Sequence, residues 1–173
     1  DCVVAIGTAS YVKGTMETID MLAGTGLTYH HVGGGSAEDI AAIEAYAASR
    51  GVELVVEPRL SQEALVSLVK RARAVVSLAR GEPFGLTPIE AQAAGTPALM
   101  VDEGGYRHTI EDGVSGRLLP RGDWAAWHAA LEDAKNAETR RAWSEAGRQN
   151  IAKMGLRPEE QAATLSTIID KLR

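Results

Sequence analysis

The sequence predicts an α/β fold: a Rossmann-like, doubly wound parallel sheet of about six strands with helices on both faces. Three observations predict it. Short apolar, β-branched runs alternate with segments of helical period along the whole chain, which implies right-handed crossovers and parallel strands. Glycines punctuate the loops that follow the strands, where sheets of this kind bind ligands. The length, 173 residues, suits one domain, residues 1–173, with no linker or internal repeat.

The elements follow in order. Cys2 to Ile6 reads as a strand with a buried thiol, and Thr15 to Leu22 as a helix with Met16, Ile19 and Leu22 on one face. A strand from Leu27 to Val32 ends in Gly33, Gly34 and Gly35. Ser36 and Asp39 make a capping pair for a helix to Arg50, with Ile40, Ile43 and Ala47 at core spacing and Gly51 closing it. Val52 to Val56 is a strand. Ser61 caps the next helix, which carries Leu65, Leu68 and Val69 and ends in the basic run Lys70 to Arg73, suited to a helix C-terminus. Ala74 to Leu78 is a strand, followed by a loop with Gly81, Pro83 and Gly85. A helix from Thr87 to Ala94 then stops at Gly95 and Pro97. Ala98 to Val101 is a strand, Gly104 and Gly105 a turn, Tyr106 to Glu111 a short helix, and Gly116 to Leu119 the last strand. Helices over 123–135, 137–154 and 158–172 finish the chain. Trp124, Trp127 and Leu131 share a packing face, Trp143 and Met154 read the same way, and Ala162, Leu165, Ile168, Ile169 and Leu172 form an apolar stripe expected to pack on this domain.

Composition narrows the function. A net charge of −5 excludes the broad positive footprint of nucleic-acid or anionic-membrane binding. One cysteine excludes an internal disulfide and a thiolate zinc cluster. No apolar run approaches the roughly 20 residues that span a bilayer, and no signal-peptide pattern opens the sequence. His30, His31, His108 and His128 offer no convincing metal-ligand pairing, so no metal site is expected. An anionic ligand must therefore be met by local charge and backbone dipoles.

The chemistry concentrates between Ala79 and Gly116. In Glu82-Pro-Phe-Gly-Leu-Thr-Pro-Ile-Glu90, Thr87 is a suitable N-cap, Pro88 fits the first helical position and Glu90 falls at the third. Glu90 there either closes a capping box on its own helix or faces a ligand. Glu82 is a solvated loop carboxylate or a ligand group. Gly85 lets backbone approach a ligand closely, and the amides of Leu86 and Thr87 leave a helix N-terminus, a natural anion site. Phe84, the only phenylalanine, lies in this loop and not in a core run.

The run from Glu82 to Pro97 resembles the signature of retaining glycosyltransferases of the GT-B fold, family four of the sequence classification. The run from Glu103 to Gly116, with Gly104-Gly105 and Asp112-Gly113, resembles the next block of that family. Gly33 to Gly35 and the loop from Gly7 to Gly14 resemble its earlier turns. The resemblance covers nearly the whole chain, in order, and implies one half of a GT-B enzyme, the donor-binding half. It makes Glu90 the ribose ligand and Glu82 the catalytic candidate that contacts the transferred sugar. Phe84 and Gly85 would join Glu82 around the donor sugar, with Leu86, Thr87 and Lys13 at the phosphates. The family usually has an arginine where Thr8 stands. Arg59, Arg80 and Arg107 are candidates, by loop position, for base or phosphate contacts in its place.

What the resemblance implies is transfer of a hexose from a nucleoside-diphosphate sugar, a GDP- or UDP-hexose with GDP-mannose foremost, to a glycan, lipid or small-molecule acceptor. No cofactor is implied, and the absence of an Asp-x-Asp triplet agrees with metal-independent transfer. The acceptor-binding N-terminal domain is absent, and Asp1 reads as a cut at the domain boundary; because terminal helices of this fold often cross back to that domain, the resemblance also allows that part of the 158–172 stripe has lost its partner. The chain alone is accordingly expected to bind donor and transfer little. The implied location is cytoplasmic or the cytoplasmic face of a membrane, with peripheral association only through the absent half. Two other readings stand beside this one. A non-catalytic or degenerate nucleotide-sugar module is kept open by Thr8. An NAD-dependent oxidoreductase fits poorly, because Gly33-Gly34-Gly35-Ser36-Ala37-Glu38 lacks the final glycine of the dinucleotide fingerprint.

Overall fold

The computed structural model describes residues 1–171. Five apolar runs and one shorter strand assemble into a single parallel sheet in the order β3-β2-β1-β4-β5-β6. The strands are β1 (Cys2–Ile6), β2 (Thr28–Val32), β3 (Leu54–Glu57), β4 (Ala74–Ser77), β5 (Ala98–Val101) and β6 (Arg117–Leu119). The helices between and after them are α1 (Thr15–Leu22), α2 (Ala37–Arg50), α3 (Gln62–Arg71), α4 (Leu86–Ala94), α5 (Tyr106–Thr109), α6 (Trp124–Asp133), α7 (Ala137–Met154) and α8 (Pro158–Lys171). The predicted architecture is the observed one. Every named strand pair is parallel, and the order of strands reverses between β1 and β4, where Val3 pairs with Ala74 and Val4 with Val75. Loops leaving β1 and β4 diverge there, and this opens the crevice in which such sheets bind ligands.

The core follows from strands that are apolar on both faces. Val3, Val4, Val75, Val76, Leu99 and Met100 are fully buried, and Trp127 and Leu131 of α6 and Trp143 of α7 complete the packing. Cys2 is a buried thiol, as its strand context predicts. The Ser36–Asp39 capping box forms at the start of α2, and Ser61 caps α3 through the Ala64 amide.

Three expectations are corrected. Met16 is exposed, and the buried face of α1 is built by Thr15, Thr18, Ile19, Met21 and Leu22 instead. The threonines can be buried because Thr18 Oγ1 donates to the Gly14 carbonyl and Thr15 Oγ1 to that of Ser10. The helix after β4 starts earlier than Thr87: Gly85 is its N-cap at φ 89°, a conformation glycine reaches without the steric cost other residues meet. The stripe on α8 does not pack on this domain, for Leu165, Ile168 and Ile169 are all about half exposed. Leu172, the last member of that stripe, lies outside the described residues. Among the described residues no helix is long and apolar enough to cross a membrane.

Candidate functional site

The loops after β1, β4, β5 and β6 meet at the carboxyl edge of the sheet. The first, from Gly7 to Gly14, is held down at its end. Gly14 has left-handed backbone at φ 67°, and a Cβ there would lie 2.3 Å from the Leu78 carbonyl oxygen. Only glycine allows this approach, and it carries Lys13 across to β4. The Lys13 ammonium lies 3.1 Å from a carboxylate oxygen of Glu82. Two residues 69 positions apart in sequence thus form one ion pair. Each of them retains some solvent access, with side-chain exposures of 39% and 20%.

The backbone beside Glu82 is fixed from the β5 loop. Gly105 donates its N–H to the Glu82 carbonyl at 2.7 Å. A Cβ on Gly105 would lie 2.4 Å from the Phe84 nitrogen, and one on Gly104 2.6 Å from the Glu82 carbonyl oxygen. The paired glycines are therefore a packing surface for the Glu82–Phe84 segment. Beneath it, the Tyr106 hydroxyl bonds Ser77 Oγ at 2.7 Å. Burial pushes the Tyr106 phenol up to about 12, against the opposing effect of the Ser77 bond, so it stays neutral and structural.

Because α4 begins at Gly85, Leu86, Thr87 and Pro88 occupy its first three positions and Glu90 its fifth. The expected Thr87–Glu90 capping box is absent, and no side chain caps this helix. Among the described residues the Leu86 and Thr87 amides have no protein acceptor, while Pro88 brings no N–H to satisfy. Leu86 and Phe84 are exposed beside them. Glu90 is turned to another purpose. It borders a groove of about 330 Å³ between α3 and α4, lined also by Ile6, Gln62, Leu65, Val66 and Lys70. As a residue Glu90 remains exposed. Its carboxyl is nevertheless partly desolvated, which raises its pKa. It has no hydrogen-bond or ion-pair partner among the described residues.

The three arginines named from sequence stand apart. Arg80 forks onto Glu17 and stacks on the Tyr11 ring, 4.1 Å from its centroid. Arg107 is paired with Asp102 at 2.7 Å. Arg59 is exposed on the loop after β3, away from an ion-pair partner among the described residues. Sequence reasoning missed Arg121. Its guanidinium bonds Glu103 through two nitrogens, Glu17 at 3.0 Å and the Leu78 carbonyl at 2.9 Å. The signal was available in its place after a strand, in Pro120-Arg121-Gly122-Asp123, the same rule that selected the other three. Glu103 is held below the usual carboxylate range by the Arg121 hydrogen bonds. Burial works to raise Glu17, but hydrogen bonds and charge from Arg80 and Arg121 outweigh it and lower its pKa.

Residues 2–150 match the family model of glycosyl transferases group 1. The chain belongs to that family. Among the curated relatives of this glycosyl transferases group 1 domain is a D-inositol 3-phosphate glycosyltransferase of Streptomyces coelicolor, 39% identical over 107 residues, which are 59% of this chain and 23% of the relative. One from Nocardia farcinica is 39% identical over 114 residues, 63% of this chain and 22% of that protein. The chain spans about a quarter or less of the length of these relatives. A sucrose-phosphate synthase from Thermosynechococcus elongatus superposes with a TM-score of 0.87 at 23% identity, covering 99% of this chain and 45% of that one. The C-terminal domain of a glycosyl transferase group 1 protein from Francisella tularensis gives 0.73 at 18% identity, covering 88% and 85%. HepE of Anabaena, solved with UDP and glucose, gives 0.79 at 21% identity, covering 96% and 48%. The fold is that of the C-terminal domain of a GT-B glycosyltransferase.

Proposed function

We propose that this chain is the nucleotide-sugar-binding domain of a retaining, metal-independent hexosyltransferase whose acceptor site lies elsewhere in a longer protein. The observation that carries the reading is the juxtaposition at the switch point of three groups: the Lys13–Glu82 pair, the uncapped start of α4 and the unpartnered Glu90 carboxyl on its groove. Each meets a different part of a nucleoside-diphosphate hexose. The groove takes the nucleoside, with Glu90 accepting from ribose hydroxyls. A charge-assisted bond of that kind contributes about 1.5–3 kcal/mol. The amides of Leu86 and Thr87 and the Lys13 ammonium take the phosphates. Glu82, Phe84 and Gly85 border the hexose.

The arrangement also supplies chemistry. Breaking the sugar–phosphate bond leaves charge on the departing phosphate. Helix-terminus amides and an ammonium aimed at that oxygen stabilise the charge as it develops, without reorganising. Binding of the diphosphate draws Lys13 from Glu82, which frees the carboxylate to hold a sugar hydroxyl. Arg59 contacts the base from the loop after β3, and Arg80 or Arg107 could reach phosphate only by leaving its present carboxylate partner. UDP-hexose is the first donor to test, given the UDP bound in the Anabaena structure, with GDP-hexose beside it.

The test is a thermal-shift and calorimetric panel of UDP, GDP, UDP-glucose and GDP-mannose on the full chain. A ligand at 100 times its Kd stabilises the domain by about 2.7 kcal/mol. If no nucleoside diphosphate shifts the melting temperature and Glu90→Ala changes nothing, the reading fails. Robust sugar transfer by this chain alone would overturn the placement of the acceptor site.

A further inference from the structure

Arg121 lies outside the proposed ligand-contacting set, yet from the loop after β6 it touches the loops after β4 and β5 and the first turn of α1, directly after the β1 loop. Its Nη1 donates to the Leu78 carbonyl at 2.9 Å and to Glu17 Oε2 at 3.0 Å. Its Nε and Nη2 donate to the two oxygens of Glu103 at 2.9 and 2.8 Å. Each bond leads to one side of the Lys13–Glu82 pair. Leu78 O is the atom on which Gly14 rests, and Glu17 lies in the first turn of α1, so these two contacts fix where Lys13 enters. Glu103 directly precedes Gly104 and Gly105, whose backbone abuts Glu82 and whose Gly105 amide bonds the Glu82 carbonyl, so the third contact fixes where Glu82 stands. The side chain is 20% exposed and both carboxylates that face it are partly shielded, so the planar fork holds its geometry rather than wandering in solvent.

We propose that Arg121 is a positioning residue that sets the separation of Lys13 and Glu82, and through it the affinity for the diphosphate portion of the ligand. This rests on the nucleotide-binding reading above. A lysine in its place keeps the charge but cannot bond Glu103 through two nitrogens and the Leu78 carbonyl at once, so the role depends on the fork and not on the charge. The nucleoside portion, held on the far side of α4 by the groove and Glu90, is indifferent to the change.

The experiment is calorimetric titration of the full chain with UMP and UDP, and with GMP and GDP, for the native protein, Arg121→Met, Arg121→Lys and Glu103→Gln. Arg148→Met, which removes a surface pair with Glu145, is the control. The expected result is a loss of about tenfold in the preference for diphosphate over monophosphate in both Arg121 variants, equivalent to about 1.4 kcal/mol. Glu103→Gln should lose part of that preference and the control none. General loosening of the fold would weaken both nucleotides alike, so an unchanged ratio in folded Arg121→Met, or rescue by Arg121→Lys, overturns the positioning role. If Arg121→Met does not fold, Glu103→Gln decides: an unchanged ratio there overturns it as well. Failure of the native chain to bind any of the four nucleotides sinks the nucleotide-binding reading itself, and this inference with it.

Discussion

Two helices of this domain begin in opposite ways. At α2, Ser36 Oγ accepts from the Asp39 amide and the Asp39 carboxylate accepts from the Ser36 amide, so the helix satisfies its own entrance. At α4, glycine stands at the cap, proline follows at the third position, and the amides of Leu86 and Thr87 are left for something outside the helix. The carboxylate that could have closed a box, Glu90, lies two positions too far along and borders a groove. An α-helix leaves several donors free at its start whatever the sequence. What differs is whether a local side chain consumes them. The self-capped entrance serves stability, and the uncapped one retains the partial positive charge on which the proposed phosphate contact relies.

The comparison can be broken at its most constrained point. Gly85→Val places a β-branched residue at φ 89° with its Cβ 2.8 Å from the Tyr106 ring. Backbone strain and overpacking together should cost about 3 kcal/mol in urea denaturation. A variant as stable as the native chain would mean that α4 does not depend on its glycine cap. The next largest effect is functional. Glu90→Ala should lower nucleotide affinity by about tenfold or more, the loss of roughly 1.5–3 kcal/mol, while the melting temperature stays nearly constant because the carboxyl has no partner to lose. With its pKa raised by desolvation, the carboxylate should also lose its contribution at a higher pH than an ordinary glutamate as the solution is acidified, which affinity measured against pH would reveal.

Ser36→Ala should do the reverse. It should cost about 1 kcal/mol of stability with nucleotide affinity unchanged. The smallest effect concerns the approach to α2. His31 Nε2 donates to the Gly34 carbonyl, which also receives the Ala9 amide, and its Nδ1 meets the Tyr29 hydroxyl. Burial lowers the His31 pKa, although the Gly34 bond opposes this. The unfolded chain therefore binds the proton more readily. The stability gained from neutral His31 should be complete above the unfolded value of about 6.5 and be lost as pH falls through the lower folded value. His31→Gln should flatten that part of the stability profile, and a profile unchanged by the substitution would remove His31 from the account.

Much of this was legible because local signals agreed with the fold. Valine-rich runs, Ser36 with Asp39, Ser61 and the glycine stops placed the elements, and the order of motifs brought Lys13 and Glu82 to one edge across 69 positions. The misreadings have physical causes. Thr87 followed by Pro88 is a sound capping sequence, but a glycine two residues earlier reaches a conformation that threonine reaches only with strain, and the helix starts there. Met16 obeyed helical spacing, yet satisfied hydroxyls let Thr15 and Thr18 take the inner face. The stripe of Leu165, Ile168 and Ile169 announces that an apolar face wants cover without saying which surface supplies it. Arg121 carries no periodicity at all, and its importance lies in acceptors contributed by three distant segments.

The position of β1 has a consequence for how the molecule comes into being. It sits in the interior of the sheet, between β2 and β4, and the contact of Val3 with Ala74 closes a loop of about 70 residues. During synthesis β1 and β2 can pair early, but the other flank of β1 stays unpaired until β4 has left the ribosome. That open strand edge, rich in valine, is a template for pairing with a neighbouring chain. The crevice at the switch point is thus assembled late, from the strand that waits longest for its partner, and folding yield should respond to mutations in β4 more steeply than to equal losses of stability in β6.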